Sequence, residues 1–427
     1  MQNIYHAIVA AGLQNQIKVS TATYTGLLQD SFPPSGASFR PRNFITPIVE
    51  FLARNNLPMF VNIVVSESEW PSAGLDVATT DNAQTYYRNL ISHVTGGTGS
   101  QGGREGISKR AQSIGVCLGG YGDNIPPVNE TVNLYQSNNI RKMRIYDPDP
   151  TATLQALRGS KLELMLGVAN ENLQSLASSS TTATEWVQRN ARDYLPDVKI
   201  RYIAVGNEVQ PSDERLRFVL PAMQNIYNAI SLAGLQNEIK VSTVIDLRLL
   251  GNYDRPSQAS FSEAAMPNIQ PIITFLVNIK SPLLANVYPY FTYIYNTETI
   301  QLPYALFTAP GVVVPDGELG YQNLFDALLD ALYSAVEKVG GQSLEIVVAE
   351  SGWPSDRGTY ATVDSASTYY RNLINHVPRG TPKRSGRGIE TYLFAMYDEN
   401  LKPGDETERH FGLFYPDKQP KYQITFG

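Results

Sequence analysis

Read for its apolar positions, the chain of 427 residues alternates short unbroken apolar runs with longer stretches of helical period. Eight runs follow residue 112: Ser113–Leu118, Lys142–Asp147, Glu163–Ala169, Ile200–Glu208, Lys240–Asp246, Leu284–Phe291, Glu345–Trp353 and Glu390–Glu399. They are rich in β-branched and aromatic residues, the pattern of strands buried on both faces. Between them lie amphipathic stretches. Leu216, Val219, Leu220, Met223, Ile226, Tyr227 and Ile230 keep one helix face apolar, and Leu324, Leu328, Ala331, Leu332, Ala335, Val336 and Val339 do the same later. This alternation predicts an α/β fold, a (β/α)8 TIM barrel over residues 111–427. An open doubly wound sheet is the rival. It requires a phosphate-binding turn after its first strand, and Gly119-Gly-Tyr-Gly122 matches that only weakly.

The region before the barrel repeats part of it. Met1-Gln-Asn-Ile-Tyr recurs as Met223-Gln-Asn-Ile-Tyr227, and Ala11-Gly-Leu-Gln-Asn recurs as Ala233-Gly-Leu-Gln-Asn237. The match runs to Val61-Asn62-Ile63, aligned with Ala285-Asn286-Val287, then jumps. Val64-Val-Ser-Glu67 aligns with Val347-Val-Ala-Glu350, so about 59 residues are absent from the first copy. Counterparts of residues 114–222 are also missing. Residues 1–110 therefore read as a truncated duplicate that cannot close a barrel, since closure needs every strand. The Gly-rich segment Gly96–Gly103 reads as a flexible join. A remnant of an adjacent related gene is the preferred account of this arm, over a regulatory or dimerising one.

Composition narrows the function. Apolar residues make up 42% and charged residues 17%, enough for a large core. A net charge of -6 without basic tracts argues against nucleic acid. No apolar run is long enough to span a bilayer, so no membrane partner is expected. The opening residues lack the basic and apolar regions of a signal peptide. No coiled-coil stripe is present, and the chain reads as a monomer. The single cysteine, Cys117, lies in a predicted strand and reads as core. His6, His93, His376 and His410 are scattered without ligand spacing, so neither a metal nor another cofactor is expected. Asn129-Glu-Thr131 fits a glycosylation sequon.

The candidate chemistry lies at strand ends. Glu208 ends Arg201-Tyr-Ile-Ala-Val-Gly-Asn-Glu208, and Glu350 ends the apolar run before Ser351-Gly-Trp-Pro354. Barrel enzymes place their chemistry at the carboxyl ends of strands. Two such carboxylates suggest an acid and a nucleophile acting on one glycosidic bond. Asn207 is placed to hydrogen-bond a sugar hydroxyl, and Trp353 to offer an aromatic wall beside Glu350. Glu399, Lys402 and Glu408 form a charged cluster after the last strand, read as an ion-pair network that keeps the nucleophile ionised. A solvated charged loop is the plain alternative. Among 25 tyrosines, Tyr146, Tyr288 and Tyr290, with Phe291, lie at strand ends and are groove candidates.

Residues 113–427 resemble the plant endo-β-1,3-glucanases of glycoside hydrolase family 17. The resemblance rests on Ile114-Gly-Val-Cys117, Met143-Arg-Ile-Tyr-Asp-Pro148, Ala204-Val-Gly-Asn-Glu208, Asn286-Val-Tyr-Pro-Tyr290, Val348-Ala-Glu-Ser-Gly-Trp-Pro354, Phe394-Ala-Met-Tyr-Asp-Glu-Asn400 and His410-Phe-Gly-Leu-Phe414. It implies a retaining hydrolase of internal β-1,3 bonds in β-glucan, with Glu208 as acid/base and Glu350 as nucleophile. It further implies support from Glu399, Lys402 and Glu408, and sugar contacts from Tyr146, Asn207, Asn286, Tyr288 and Trp353. It implies a place in defence or wall turnover, and a location outside the cell, in the wall or in the vacuole. The family usually carries Tyr where Leu118 stands, which puts a contact on the cleft floor in question, with Tyr121 nearby. In the first copy Glu67 matches the nucleophile, Glu69 replaces the usual Gly, and no counterpart of Glu208 exists, so that copy is expected to be catalytically dead. A mixed-linkage β-1,3-1,4-glucanase and a non-hydrolytic glucan-binding defence protein are the alternatives.

Overall fold

The computed structural model describes residues 114–426, apart from 148–151 and 254, and short pieces at 22–24, 28–29, 38–39, 50–51 and 60–62. Eight parallel strands close a barrel. They are β1 (Ile114–Cys117), β2 (Lys142–Ile145), β3 (Glu163–Val168), β4 (Lys199–Asn207), β5 (Lys240–Asp246), β6 (Leu283–Asn286), β7 (Ile346–Ser351) and β8 (Thr391–Leu393). Each pairs with the next, and β8 pairs back onto β1 through Thr391 opposite Ile114. Both faces of these strands are covered, which is why they read as continuous apolar runs.

Six of the eight strands are shorter than the apolar runs that predict them, while β5 matches its run and β4 lies one residue earlier than its run. The run at Leu284–Phe291 ends as strand at Asn286 because Pro289 opens a short helix, Pro289–Ile294. Proline fits a first helical turn, where its missing N–H is not needed. Two helices follow the predicted periodicity: α1 (Leu216–Leu232) and α2 (Leu324–Lys338). α1 buries one face through Leu216, Val219, Met223, Ile226 and Ile230. α2 is buried on every side up to Val336, not on one stripe. Two of its buried acids meet partners distant in sequence. Asp326 pairs with His376 at 2.7 Å, and Asp330 accepts the backbone N–H of Lys383 at 2.9 Å.

At the amino ends of the strands, ions plug the barrel. Lys142 Nζ meets Glu390 at 2.8 Å, and Arg201 reaches Glu390 and Glu163 at 3.2 Å each. The cleft lies at the other end. Cys117 sits in the core, its thiol donating to the Ala349 carbonyl at 3.4 Å, and burial pushes its pKa up to about 12. It has no part in nucleophilic chemistry. Asn129 of the sequon is exposed in the first helical turn after β1.

The chain divides into two units, Met1–Gly99 and Ser100–Gly427. In the first unit, Ala22–Tyr24 pairs in parallel with Phe60–Asn62, Ala22 opposite Phe60. The residues that the sequence repeat aligns with these are Val244 and Leu284, which face each other between β5 and β6. Likewise Leu28 faces Phe39 in an antiparallel pair, and their repeat equivalents Leu250 and Phe261 face each other in a hairpin after β5. Glu67, Glu69 and the segment Gly96–Gly103 lie outside the described residues.

Candidate active site

The carboxyl end of the barrel opens into a cleft of about 1150 Å³. That exceeds the usual space for a drug-sized ligand and suits an extended polymer segment. Glu208 and Glu350 both line it.

In a regular strand, neighbouring side chains point to opposite faces. β4 escapes this rule by a register shift against β5 between Ala204 and Asn207. Gly206 has φ of 77°, and Glu208 takes φ of 52°, in the left-handed region. A non-glycine residue pays strain to hold that conformation, and such strain collects at functional sites. The result is that Asn207 and Glu208, adjacent in sequence, both face the cleft. Shifts of register at Ala285/Asn286 and Val348/Ser351 re-aim the ends of β6 and β7 in the same way.

Glu350 is buried at the floor. Its Oε1 accepts the Tyr146 hydroxyl at 2.7 Å and lies 2.9 Å from Arg144 Nη1. Its Oε2 accepts the Tyr288 hydroxyl at 2.6 Å. Burial holds both tyrosine hydroxyls well above their ordinary pKa, so they remain donors. Two hydroxyl donors and a guanidinium suit an anion.

Glu208 differs. Its Oε1 accepts Asn286 Nδ2 at 2.7 Å, and its Oε2 accepts Arg248 Nη2 at 3.1 Å. Burial raises its pKa to about 7, reinforced by the negative charges of Glu350 and Asp246 and opposed by Asn286 and Arg248. Two carboxylates thus share one cleft in opposite environments, one suited to a proton and one to a charge.

Arg144, on β2, is the residue that sequence reasoning missed. It is fully buried, and its Nη1 donates to Asn286 Oδ1 and the Ala349 carbonyl at 3.0 Å each. Its Nη2 donates to Asn207 Oδ1 at 2.7 Å. One guanidinium therefore fixes Asn207, Asn286 and Glu350 together, a rigid fork that lysine cannot reproduce. The available signal was a cation inside a buried run, two residues before Tyr146, since lone buried charges require partners.

The other predicted residues divide. Lys402 pairs with Glu408 at 3.1 Å and lies 3.9 Å over the Phe394 ring. Glu399 accepts the backbone N–H of Tyr121 at 2.9 Å, and burial raises its pKa. The three line the cleft, but the groups touching Glu350 are Tyr146, Tyr288 and Arg144. Gly119 leaves room for this arrangement, because an added Cβ would sit 2.1 Å from Glu399 Oε1. Leu118 and the exposed Tyr121 line the cleft without closing it.

Trp353 requires correction. It offers no wall to a sugar. Its side chain is fully buried, its indole N–H donates to the Tyr360 carbonyl at 3.0 Å, and its ring packs on Tyr290, Tyr293 and Tyr369. The chain packs tightly at Gly352, where an added Cβ would sit 2.5 Å from the Phe394 carbonyl oxygen. Tyr290 is buried with Trp353, whereas Tyr288 and Phe291 line the cleft.

Comparison with known proteins places this geometry. The sequence model of the glycosyl hydrolases family 17 matches residues 1–64, 60–108 and 114–426. A glucan endo-1,3-beta-glucosidase of Vitis vinifera is 60% identical over 323 residues, covering 75% of this chain and 93% of that protein. A basic vacuolar isoform of glucan endo-1,3-beta-glucosidase from Nicotiana tabacum is 54% identical, covering 74% and 86%. Among solved structures, a beta-1,3-glucanase and allergen of Cryptomeria japonica pollen superimposes with a TM-score of 0.71 at 45% identity, covering 74% of this chain and 99% of that one.

Proposed function

Since the chain belongs to the glycosyl hydrolases family 17, we propose that it is an endo-acting hydrolase of internal β-1,3-glucosidic bonds in β-glucan. The observation that carries this reading is the pair of carboxylates in one open cleft, Glu208 with its pKa raised to about 7 and Glu350 held by two tyrosines and Arg144. The relatives' names supply the linkage. The reaction is a double displacement with retention. Glu208 gives its proton to the leaving glycosidic oxygen while Glu350 attacks the anomeric carbon. Glu208, now a base, takes a proton from water, which attacks the same carbon and frees Glu350.

Arg144 holds Glu350, Asn207 and Asn286 in register, so little reorganisation is needed as charge develops. Lys402 and Glu408 form a charged wall beside Phe394 and support the same face. On this reading Tyr146 and Tyr288 offer their rings, and Asn207 and Asn286 their amides, to a sugar bound at Glu350, which is supported by their lining the same cleft. The protein acts as a monomer, outside the cell, in the wall or in the vacuole, in defence or wall turnover. Residues 1–110 are a truncated, inactive duplicate. The matching strand registers of the two copies support the duplication, and the lack of a counterpart of Glu208 in the sequence supports the inactivity.

The test is reducing-end release from linear β-1,3-glucan, with mixed-linkage glucan alongside, by the intact chain and by Glu350→Gln. Short oligomers from the β-1,3 polymer, abolished in the variant, are expected. Binding of glucan without release would overturn the proposal, and faster release from the mixed-linkage polymer would reassign the linkage.

A further inference from the structure

Glu208 is flanked by a cluster that the double displacement leaves unused. Asp246 ends β5, and its Oδ1 accepts the backbone N–H of Arg248 at 2.8 Å, capping the short turn Leu247–Leu249. Its Oδ2 accepts Arg248 Nε at 2.9 Å and Gln210 Nε2 at 3.0 Å. Gln210 Nε2 also donates to the Glu208 carbonyl at 3.0 Å. Arg248 Nη2 is shared between Asp246 Oδ2 and Glu208 Oε2. Asp246 is buried, whereas the Arg248 side chain is 63% exposed on the cleft wall.

We infer that Arg248, anchored by Asp246, is a positioning residue that stabilises the charge appearing on Glu208 each time Glu208 gives up its proton. The inference rests on the acid/base reading of Glu208. As the glycosidic C–O bond breaks and the bond from Glu350 forms, the proton passes to the leaving oxygen and Glu208 becomes an anion. That anion arises beside two others, Glu350 and Asp246. Arg144, bound to Asn286, faces the site from β2 but does not touch Glu208, and Glu171 adds a further negative group on the wall after β3. Among the described residues, Arg248 is the cation hydrogen-bonded to Glu208. While Glu208 is neutral, Asp246 balances Arg248. When Glu208 ionises, the shared Nη2 already stands at bonding distance, so no new contact has to form. Asp246 fixes the guanidinium through the backbone cap and two side-chain bonds, which explains why an exposed arginine is held in place.

The experiment compares Arg248→Gln and Arg248→Lys with the unaltered chain, using kcat/KM against pH on linear β-1,3-glucan and on an aryl β-laminaribioside with a dinitrophenolate leaving group. Loss of a neighbouring cation raises a carboxyl pKa by about one unit at a partly exposed site. The alkaline limb on glucan should therefore move up by about one pH unit in Arg248→Gln and less in Arg248→Lys. Activity on glucan on the acid side of that limb should fall by about three-fold, since a general acid weakened by one unit loses less than the full ten-fold. The dinitrophenolate leaves without a proton, so its release in the first turnover should be nearly unchanged. An unmoved alkaline limb, or equal loss on both substrates, would overturn the inference. Glu208→Ala separates the two levels. If that variant turns over glucan like the unaltered chain, the acid/base reading itself has failed. If it is silent while Arg248→Gln keeps the original limb, only the role of Arg248 has failed.

Discussion

Glu208 should weaken the fold at the pH where it is most useful, and Glu208→Gln should recover that stability. In the unfolded chain this carboxyl ionises near its ordinary value of 4.5, and in the barrel near 7. Between those values the unfolded state has released the proton and the native state still holds it. Stability conferred by the protonated native form is therefore complete below the lower value, declines as pH rises between them, and is absent above the upper one. The gap corresponds to at most about 3.4 kcal/mol at 1.36 kcal/mol per unit. Gln keeps the volume, still accepts from Asn286 and has no proton to lose. Unfolding midpoints of Glu208→Gln and the unaltered chain should coincide near pH ~4 and separate as pH rises, the variant gaining about 5 °C in Tm near pH ~8. Calorimetry at matched heating rates and several pH values measures the gap. A gap that stays constant across the range would refute the reasoning, because a packing effect has no pH dependence. The same variant should have lost turnover, so that stability and activity move in opposite directions.

Tyr288→Phe removes one donor from Glu350 and leaves the ring packed on Phe291, Phe394 and Phe411. Hydrogen bonds to charged groups contribute about 1.5–3 kcal/mol, so kcat on β-1,3-glucan should fall about 10- to 100-fold with little change in Tm. Deleting residues 1–110 should leave a barrel that melts cooperatively and cleaves β-1,3-glucan at the full-length rate, because β8 closes on β1 within the remaining chain; loss of the thermal transition would show that the arm belongs to the core.

Most of the fold was legible because a parallel barrel buries both faces of each strand. That requirement produces continuous apolar runs, and eight of them appear in the correct order. Their ends were less legible. Where Pro289 starts a helix or where β8 stops at Leu393, the apolar character continues past the ladder because those residues pack inside the cleft walls. α2 misled in the other direction. Its apolar stripe predicted one buried face, yet Asp326 and Asp330 are buried too, Asp326 paired with His376 and Asp330 accepting the Lys383 backbone N–H. Partners distant in sequence decide that, and a period cannot reveal them.

The site divides along the same line. Glu208, Glu350 and Asn207 were readable because each stands where a strand must end at the cleft. Arg144 was not, because its purpose is visible only when β2, β4, β6 and β7 come together and one guanidinium meets Asn207, Asn286, Glu350 and the Ala349 carbonyl. Trp353 shows the converse error. Three residues from Glu350 is close in sequence, but the strand ends at Ser351 and the Trp353 side chain lies in the wall, where Tyr290, Tyr293 and Tyr369 enclose it. Proximity along the chain identifies which residues share a strand end. Which of them face the cleft is decided by the backbone geometry of that end: the positive φ of Gly206 and Glu208 accompanies two neighbours in the cleft, whereas past the end of β7 at Ser351 the Trp353 side chain is buried out of it.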